Sequence, residues 1–212
     1  IQYLRAHPPA PTSVLNPSAF RAYVYFFAHP STSRRVIESL LRDVLHGSVL
    51  GLSPATPLWR LSTTVHHWVQ SPSHASFILD KFIAELKKAI VVPSITRPLY
   101  FINFFCVPKK GPDGKMSKLR LIRNGAYHGS HSYAINQWIM ESAYRIRTLP
   151  TLKVYARLML GKRWMALRDL TDAFRQLHLH PSQYPFCGYS LFGQTYVDTA
   201  VSYGLSSSAA TC

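Results

Sequence analysis

The amino-acid sequence predicts an α+β fold, in which a helical N-terminal region precedes an antiparallel sheet with packed helices. Three observations carry this. Apolar residues recur at helical spacing through Val36, Ile37, Leu40, Leu41, Val44 and Leu45, and again through Ile78, Phe82, Leu86 and Ile90. Two β-prone stretches, Tyr100 to Asn124 and Phe186 to Ala200, are each folded about a Gly-containing turn. A short bulky run, Trp164 to Leu167, follows the basic helix stop Gly161-Lys162-Arg163 and reads as a buried strand ending near Asp169.

Composition narrows the function classes. The 212 residues are 47% hydrophobic, enough to bury a core, so disorder is not the default state. Lys and Arg number 24 against 9 Asp and Glu, giving a formal charge of +15 and an isoelectric point near 10.0. Self-repulsion of that size calls for a polyanionic partner, with nucleic acid leading. No apolar run approaches the roughly 18 residues of a membrane span, and no basic amphipathic anchor stands out. Cys106, Cys187 and Cys212 are odd in number and lack CxxC spacing, which argues against a disulfide framework or a zinc site. A reducing, intracellular location, cytoplasmic or nuclear, is therefore expected. The chain starts at Ile1 without a charged-then-apolar leader, so it reads as a piece of a longer frame rather than a secreted precursor.

In order along the chain, Pro8, Pro9, Pro11 and Pro17 mark an extended lead-in, and the aromatic cluster Phe20 to Phe27 reads as a packing anchor. Ser31 to Ser33 offer N-caps for a first amphipathic helix ending at Gly47, with Glu38 and Arg42 paired on its outer face. A second helix spans about Ser73 to Ala89 and is closed by Pro93, with Lys81, Lys87 and Lys88 on a solvated face. His66 and His67 have no partner at ligand spacing, which makes a metal role there improbable. The run YFINFFCV, the turn Gly111-Pro112-Asp113-Gly114 and a return limb form a hairpin, in which Leu119 and Leu121 alternate with Arg120 and Arg123. Lys109, Lys110, Lys115, Lys118, Arg120 and Arg123 give it a cationic tip and a basic edge suited to phosphates. Lysines that protect an edge strand from aggregation would look the same. A third helix is expected from Pro150 to Gly161, and a second hairpin runs through Phe192-Gly193-Gln194, with Asp198 as a polar face residue.

The segment Ala166 to Leu177, ALRDLTDAFRQL, sets Asp169 and Asp172 beside apolar neighbours in a chain with few acids. A carboxylate at a strand end can meet a metal or a phosphate. Asp169 or Asp172 could equally cap a helical turn beginning near Ala173, because Asp accepts a backbone N–H well.

These residues resemble the first catalytic motif of reverse transcriptases: Asp169, Leu170, Thr171, Asp172, Ala173 and Phe174, then Gln176, Leu177, Leu179, His180 and Pro181. The FxVPKK, turn, RLI order is similar to the fingers hairpin of that family, with Asn124 where an Asp is usual. Ser202 to Ala210 resembles its second palm motif, with Ala210 where Pro is usual. The likeness reaches back to about Tyr23 through the HPS…LLRDVLHG prelude, which resembles retrotransposons, notably those that integrate by a tyrosine recombinase.

The resemblance implies a right-hand polymerase with fingers and an incomplete palm. Residues 1–95 are then the Pro-rich lead-in and helical region, 96–150 the fingers hairpin region, and 151–212 a partial palm with an interposed fingers hairpin. It implies that Asp169 and the Leu170 backbone hold two Mg²⁺ or Mn²⁺ ions, and that Asp169 is the catalytic carboxylate. Lys109, Arg120, Asp172, Ala173, Phe174, Tyr203 and Gly204 bind the incoming dNTP, Phe174 blocking a ribose 2′-OH, while Lys110, Lys115, Lys118 and Arg123 contact nucleic acid. The expected partners are an RNA template, a DNA primer, dNTP and further palm, thumb and RNase H or recombinase regions of one polyprotein. Asp169 alone cannot hold two ions, and the family's aromatic-x-Asp-Asp motif does not occur before Cys212, so this chain by itself is expected not to polymerise. A noncatalytic nucleic-acid-binding relic is the alternative.

Overall fold

A computed structural model describes residues 18, 19, 21, 22, 25, 34–62, 72–111, 113–140, 156, 157, 160, 161, 172–191 and 193–206. Helix α1, Arg34–His46, forms because Ile37, Leu41 and Val44 share one stripe, and all are buried. It stops at Gly47, whose φ of 91° terminates the helix and whose missing Cβ leaves room for the backbone of Leu179 and His180. That approach is used at once: Ser48 N donates to His178 O at 2.6 Å, and His180 N to Ser48 O at 2.9 Å. Glu38 pairs with Arg34 at 2.8 Å, not with Arg42 as its spacing suggested. Both spacings are one helical turn, and Arg42 instead reaches Ser39.

Helix α2, Pro72–Lys87, buries Ile78 and Phe82 as its periodicity predicts. Phe82 meets Tyr196 edge-on at 4.9 Å and Tyr189 at 6.1 Å. Burial of such a ring is worth about 1.5–3 kcal/mol, so this contact is a main anchor of the helix on the sheet. Pro93 does not close α2 directly. A turn through Ala89, at φ 54°, leads into strand β1, Val91–Pro93.

Strands β2, Asn103–Lys110, and β3, Met116–Asn124, form the expected hairpin. Gly114, at φ 74°, donates to Gly111 O at 3.0 Å within the turn. Strands β4, Gly188–Leu191, and β5, Gln194–Asp198, form the second hairpin, and a three-stranded antiparallel sheet runs in the order β1-β5-β4. Gln194 belongs to β5 rather than to the turn, since it pairs with Leu191. The two sheets meet where Ile102 N donates to Gly188 O and Gly188 N to Tyr100 O. A Cβ at position 188 would strike Pro98, so glycine lets the segment leading into the first hairpin lie against β4. The expected strand Trp164 to Leu167, His66, His67, Asp169 and Leu170 lie outside the described residues, as does most of the third helix.

Candidate functional site

Strand parity determines which cations of the first hairpin are available. Val107 pairs with Arg120 and Lys109 with Lys118, so Lys109, Lys118 and Arg120 share one face of the ribbon. Lys118 and Arg120 are exposed and Lys109 is partly covered. Arg123 is two and four residues from Leu121 and Leu119 and therefore points with them, toward the interior. Only 5% of it is exposed. The assignment of Arg123 to nucleic-acid contact is thus corrected: its Nη2 binds Glu85 Oε2 at 2.5 Å and its Nε donates to the Tyr189 hydroxyl at 3.0 Å.

Those bonds belong to a buried polar network. Arg175 Nη2 lies 2.8 Å from Glu85 Oε2 and 2.7 Å from Asp198 Oδ1. The Tyr189 hydroxyl donates to Asp198 Oδ2 and contacts Ser202 Oγ at 3.2 Å. Asp198 is fully buried rather than a face residue. Two guanidiniums against two carboxylates leave the set near neutrality, which is what allows charges in a protein interior. Burial would raise the Glu85 pKa, but Arg123 and Arg175 outweigh it and lower the value. Burial and the neighbouring Asp198 push the Tyr189 hydroxyl well above its ordinary range.

Beside this network the short 3₁₀ turn Ala173–Gln176 carries Phe174. Asp172 stands at its N-cap position, but its side chain makes no capping bond. Its backbone is left-handed, at φ 51° and ψ 42°. Its carboxylate instead accepts from the Tyr203 hydroxyl at 3.3 Å. The Phe174 and Tyr203 rings meet edge to face at 5.2 Å. Burial, then Asp172, pushes the Tyr203 hydroxyl up to about 12. Gly204, at φ 87°, sits against β3 so closely that a Cβ would collide with the Arg123 carbonyl oxygen, and its own carbonyl accepts from Asn136 Nδ2 at 2.8 Å.

Lys118 and Arg120 from β3 and Asp172, Tyr203 and Gly204 line one cleft of about 700 Å³, with α2 as its other wall. Lys109, Lys110 and Lys115 are nearer the hairpin turn and do not line it. Ala173 begins the short turn. A divalent metal centre needs several converging oxygens. Among the described residues no group of three His, Cys, Asp or Glu side chains converges, so these residues do not form one.

Sequence reading missed Glu85, Arg175 and Asp198. Glu85 was detectable, because it falls three residues after Phe82 on the buried stripe of α2. Arg175 carries no periodic signal, lying between Phe174 and Gln176 in a short turn.

No family model and no curated protein sequence matches the chain. Solved structures do. The crystal structure of the native Prototype Foamy Virus protease-reverse transcriptase superposes over 95% of this chain, with a TM-score of 0.50 and 15% sequence identity. The fold is reverse-transcriptase-like. The CSH mutant of the same viral protein gives a TM-score of 0.51 at 15% identity, again over 95% of this chain. The chain spans 26% of the length of each of those proteins. Among the described residues no helix is long and apolar enough to cross a membrane.

Proposed function

We propose that this chain is the fingers and part of the palm of an RNA-directed DNA polymerase of a retroelement. One observation carries the reading: Lys118 and Arg120 of the first hairpin share a cleft with Asp172, Tyr203 and Gly204 of the region that resembles the palm. A guanidinium and the Tyr203 ring, which Phe174 meets edge to face, in one cleft suit a phosphorylated nucleotide, since charge-assisted contacts to phosphate are strong and an aromatic edge can exclude a 2′-OH. In this reading Arg120 and Lys109 bind the triphosphate, Phe174 gates the sugar, and Tyr203 and Gly204 bound the nascent base pair. Lys110, Lys115 and Lys118 contact nucleic acid. Asp169 and the Leu170 backbone are the proposed Mg²⁺ or Mn²⁺ ligands, the ions supplying electrostatic stabilisation of the transferring phosphoryl group when bound.

The test is primer extension on an RNA template by a polypeptide that carries this chain and its continuous downstream sequence. Extension that Asp169→Asn abolishes, with Arg120→Ala lowering kcat/KM for dNTP, supports the polymerase. Tight, salt-sensitive nucleic-acid binding without extension in that longer polypeptide would favour the noncatalytic relic. Full activity of Asp169→Asn would refute the metal assignment.

A further inference from the structure

Helix α2 contributes more to the cleft than packing. Phe77, Lys81, Ala84 and Glu85, with Lys88 in the turn that follows, fall on one helical stripe, and this stripe forms the wall opposite Lys118 and Arg120. The sequence reading assigned Lys81 and Lys88 to a solvated face with Lys87. The structure separates them: Lys81 and Lys88 face the cleft and Lys87 does not. Lys81, Lys88, Lys118 and Arg120 are all exposed, and the Lys81 ammonium lies 5.9 Å from the centre of the Phe77 ring.

The acids of the cleft do not cancel this charge. Glu85 is bonded to Arg123 and Arg175, so among the described lining residues the Asp172 carboxylate alone offsets the four exposed cations, and a net positive charge remains. The cleft is therefore a groove with basic residues on both walls. Lys81 and Lys88 are seven positions apart, which is about 10 Å along the axis at about 1.5 Å per residue. Two cations mounted that far apart along the wall of a groove suit successive phosphates of an extended strand.

We propose that Lys81 and Lys88 form a phosphate-contacting wall for a single-stranded nucleic acid, which enters the cleft between α2 and β3. This rests on the nucleic-acid reading above and adds a second wall to it. Lysine suits the role because it offers a flexible point charge and makes no demand on base identity. The Phe77 ring adds an apolar flank to the lysine stem rather than a stacking platform, since it is itself partly covered by the core.

The experiment measures binding of an unstructured single-stranded DNA oligonucleotide to the 212-residue chain across a salt series. The variants are Lys81→Gln with Lys88→Gln, the charge-reversed Lys81→Glu with Lys88→Glu, and Lys87→Gln as a control on the same helix. Loss of two phosphate contacts should flatten the slope of log K against log salt by about 1.4, at about 0.7 per contact for single strands, while Lys87→Gln leaves it unchanged. Circular dichroism identifies any variant that fails to fold. The Gln pair removes charge from exposed positions and keeps the proposal falsifiable if the Glu pair unfolds. Salt-dependent binding by the unaltered chain that is identical in the folded Gln pair would overturn this inference alone. Absence of salt-dependent binding by the unaltered chain would overturn the nucleic-acid reading with it. Inorganic triphosphate is the second probe. Its affinity should be unaffected by the Gln pair, and a loss equal to that seen with the oligonucleotide would overturn the assignment to a strand.

Discussion

Arg175 Nη2 stands 2.7 Å from Asp198 Oδ1, which ties the turn carrying Phe174 to the last residue of β5. Glu85 on α2 reaches the same guanidinium, and Arg123 at the far end of β3 reaches Glu85. A helix, both hairpins and the turn that carries Phe174 thus converge on one neutralised set of charges. Phe174, the residue before Arg175, meets the ring of Tyr203, which lines the cleft.

Removing one member leaves an uncompensated buried charge. Arg175→Met should therefore destabilise the chain by about 3–5 kcal/mol, measured by urea unfolding. The exposed Arg34–Glu38 pair is the internal contrast. Arg34→Ala should leave the unfolding midpoint essentially unchanged, because water and salt screen such a pair.

Acid stability should report on Glu85. Its folded pKa is depressed below 4.5 because Arg123 and Arg175 outweigh the opposing effect of burial. A group of that kind contributes stability that is present above the unfolded value and lost as pH falls through the folded one. Unfolding free energy followed from neutral pH down past 4.5 should fall for the unaltered chain. Glu85→Gln should lower the plateau at neutral pH and flatten the acid limb; an unchanged limb would remove Glu85 from the network's charge balance.

Tyr203 should ionise late. Its hydroxyl is pushed up to about 12 by burial and by the Asp172 carboxylate beside it. Spectrophotometric titration, with Tyr203→Phe subtracted, should find this tyrosine near that value. Asp172→Asn should bring it down toward 10.0, leaving the part due to burial.

Gly204→Ala should be damaging on two counts. Its φ of 87° suits glycine, and the added methyl would meet the Arg123 carbonyl. The left-handed conformation alone costs about 1–2 kcal/mol for an L residue, and the collision adds to it. Thermal unfolding should drop, and oligonucleotide binding should weaken because β3 must shift. Gly114→Ala, in the open turn of the first hairpin, meets no neighbouring atom and should cost only the conformational part.

Local patterns sufficed for much of this protein. The stripe through Ile78 and Phe82, the Gly-containing turns at Gly114 and Gly193, and the alternation of both hairpins follow from periodicity and backbone preference, which neighbouring residues encode. The basic balance of the chain is likewise a property of composition alone. Tertiary structure decided which charges are available for binding. Arg120 and Arg123 are alike as residues, yet β3 parity leaves the first exposed and turns the second onto Glu85 and Tyr189. Lys81, Lys87 and Lys88 read as one solvated face until β3 packs opposite α2 and two of them line the cleft. Asp198 looked like a surface acid until Arg175, distant in the chain, supplied its counter-charge. The physical reason is common to all three: burial and ion pairing depend on which elements meet, and a long-range partner leaves no periodic trace in the strand or helix that it neutralises.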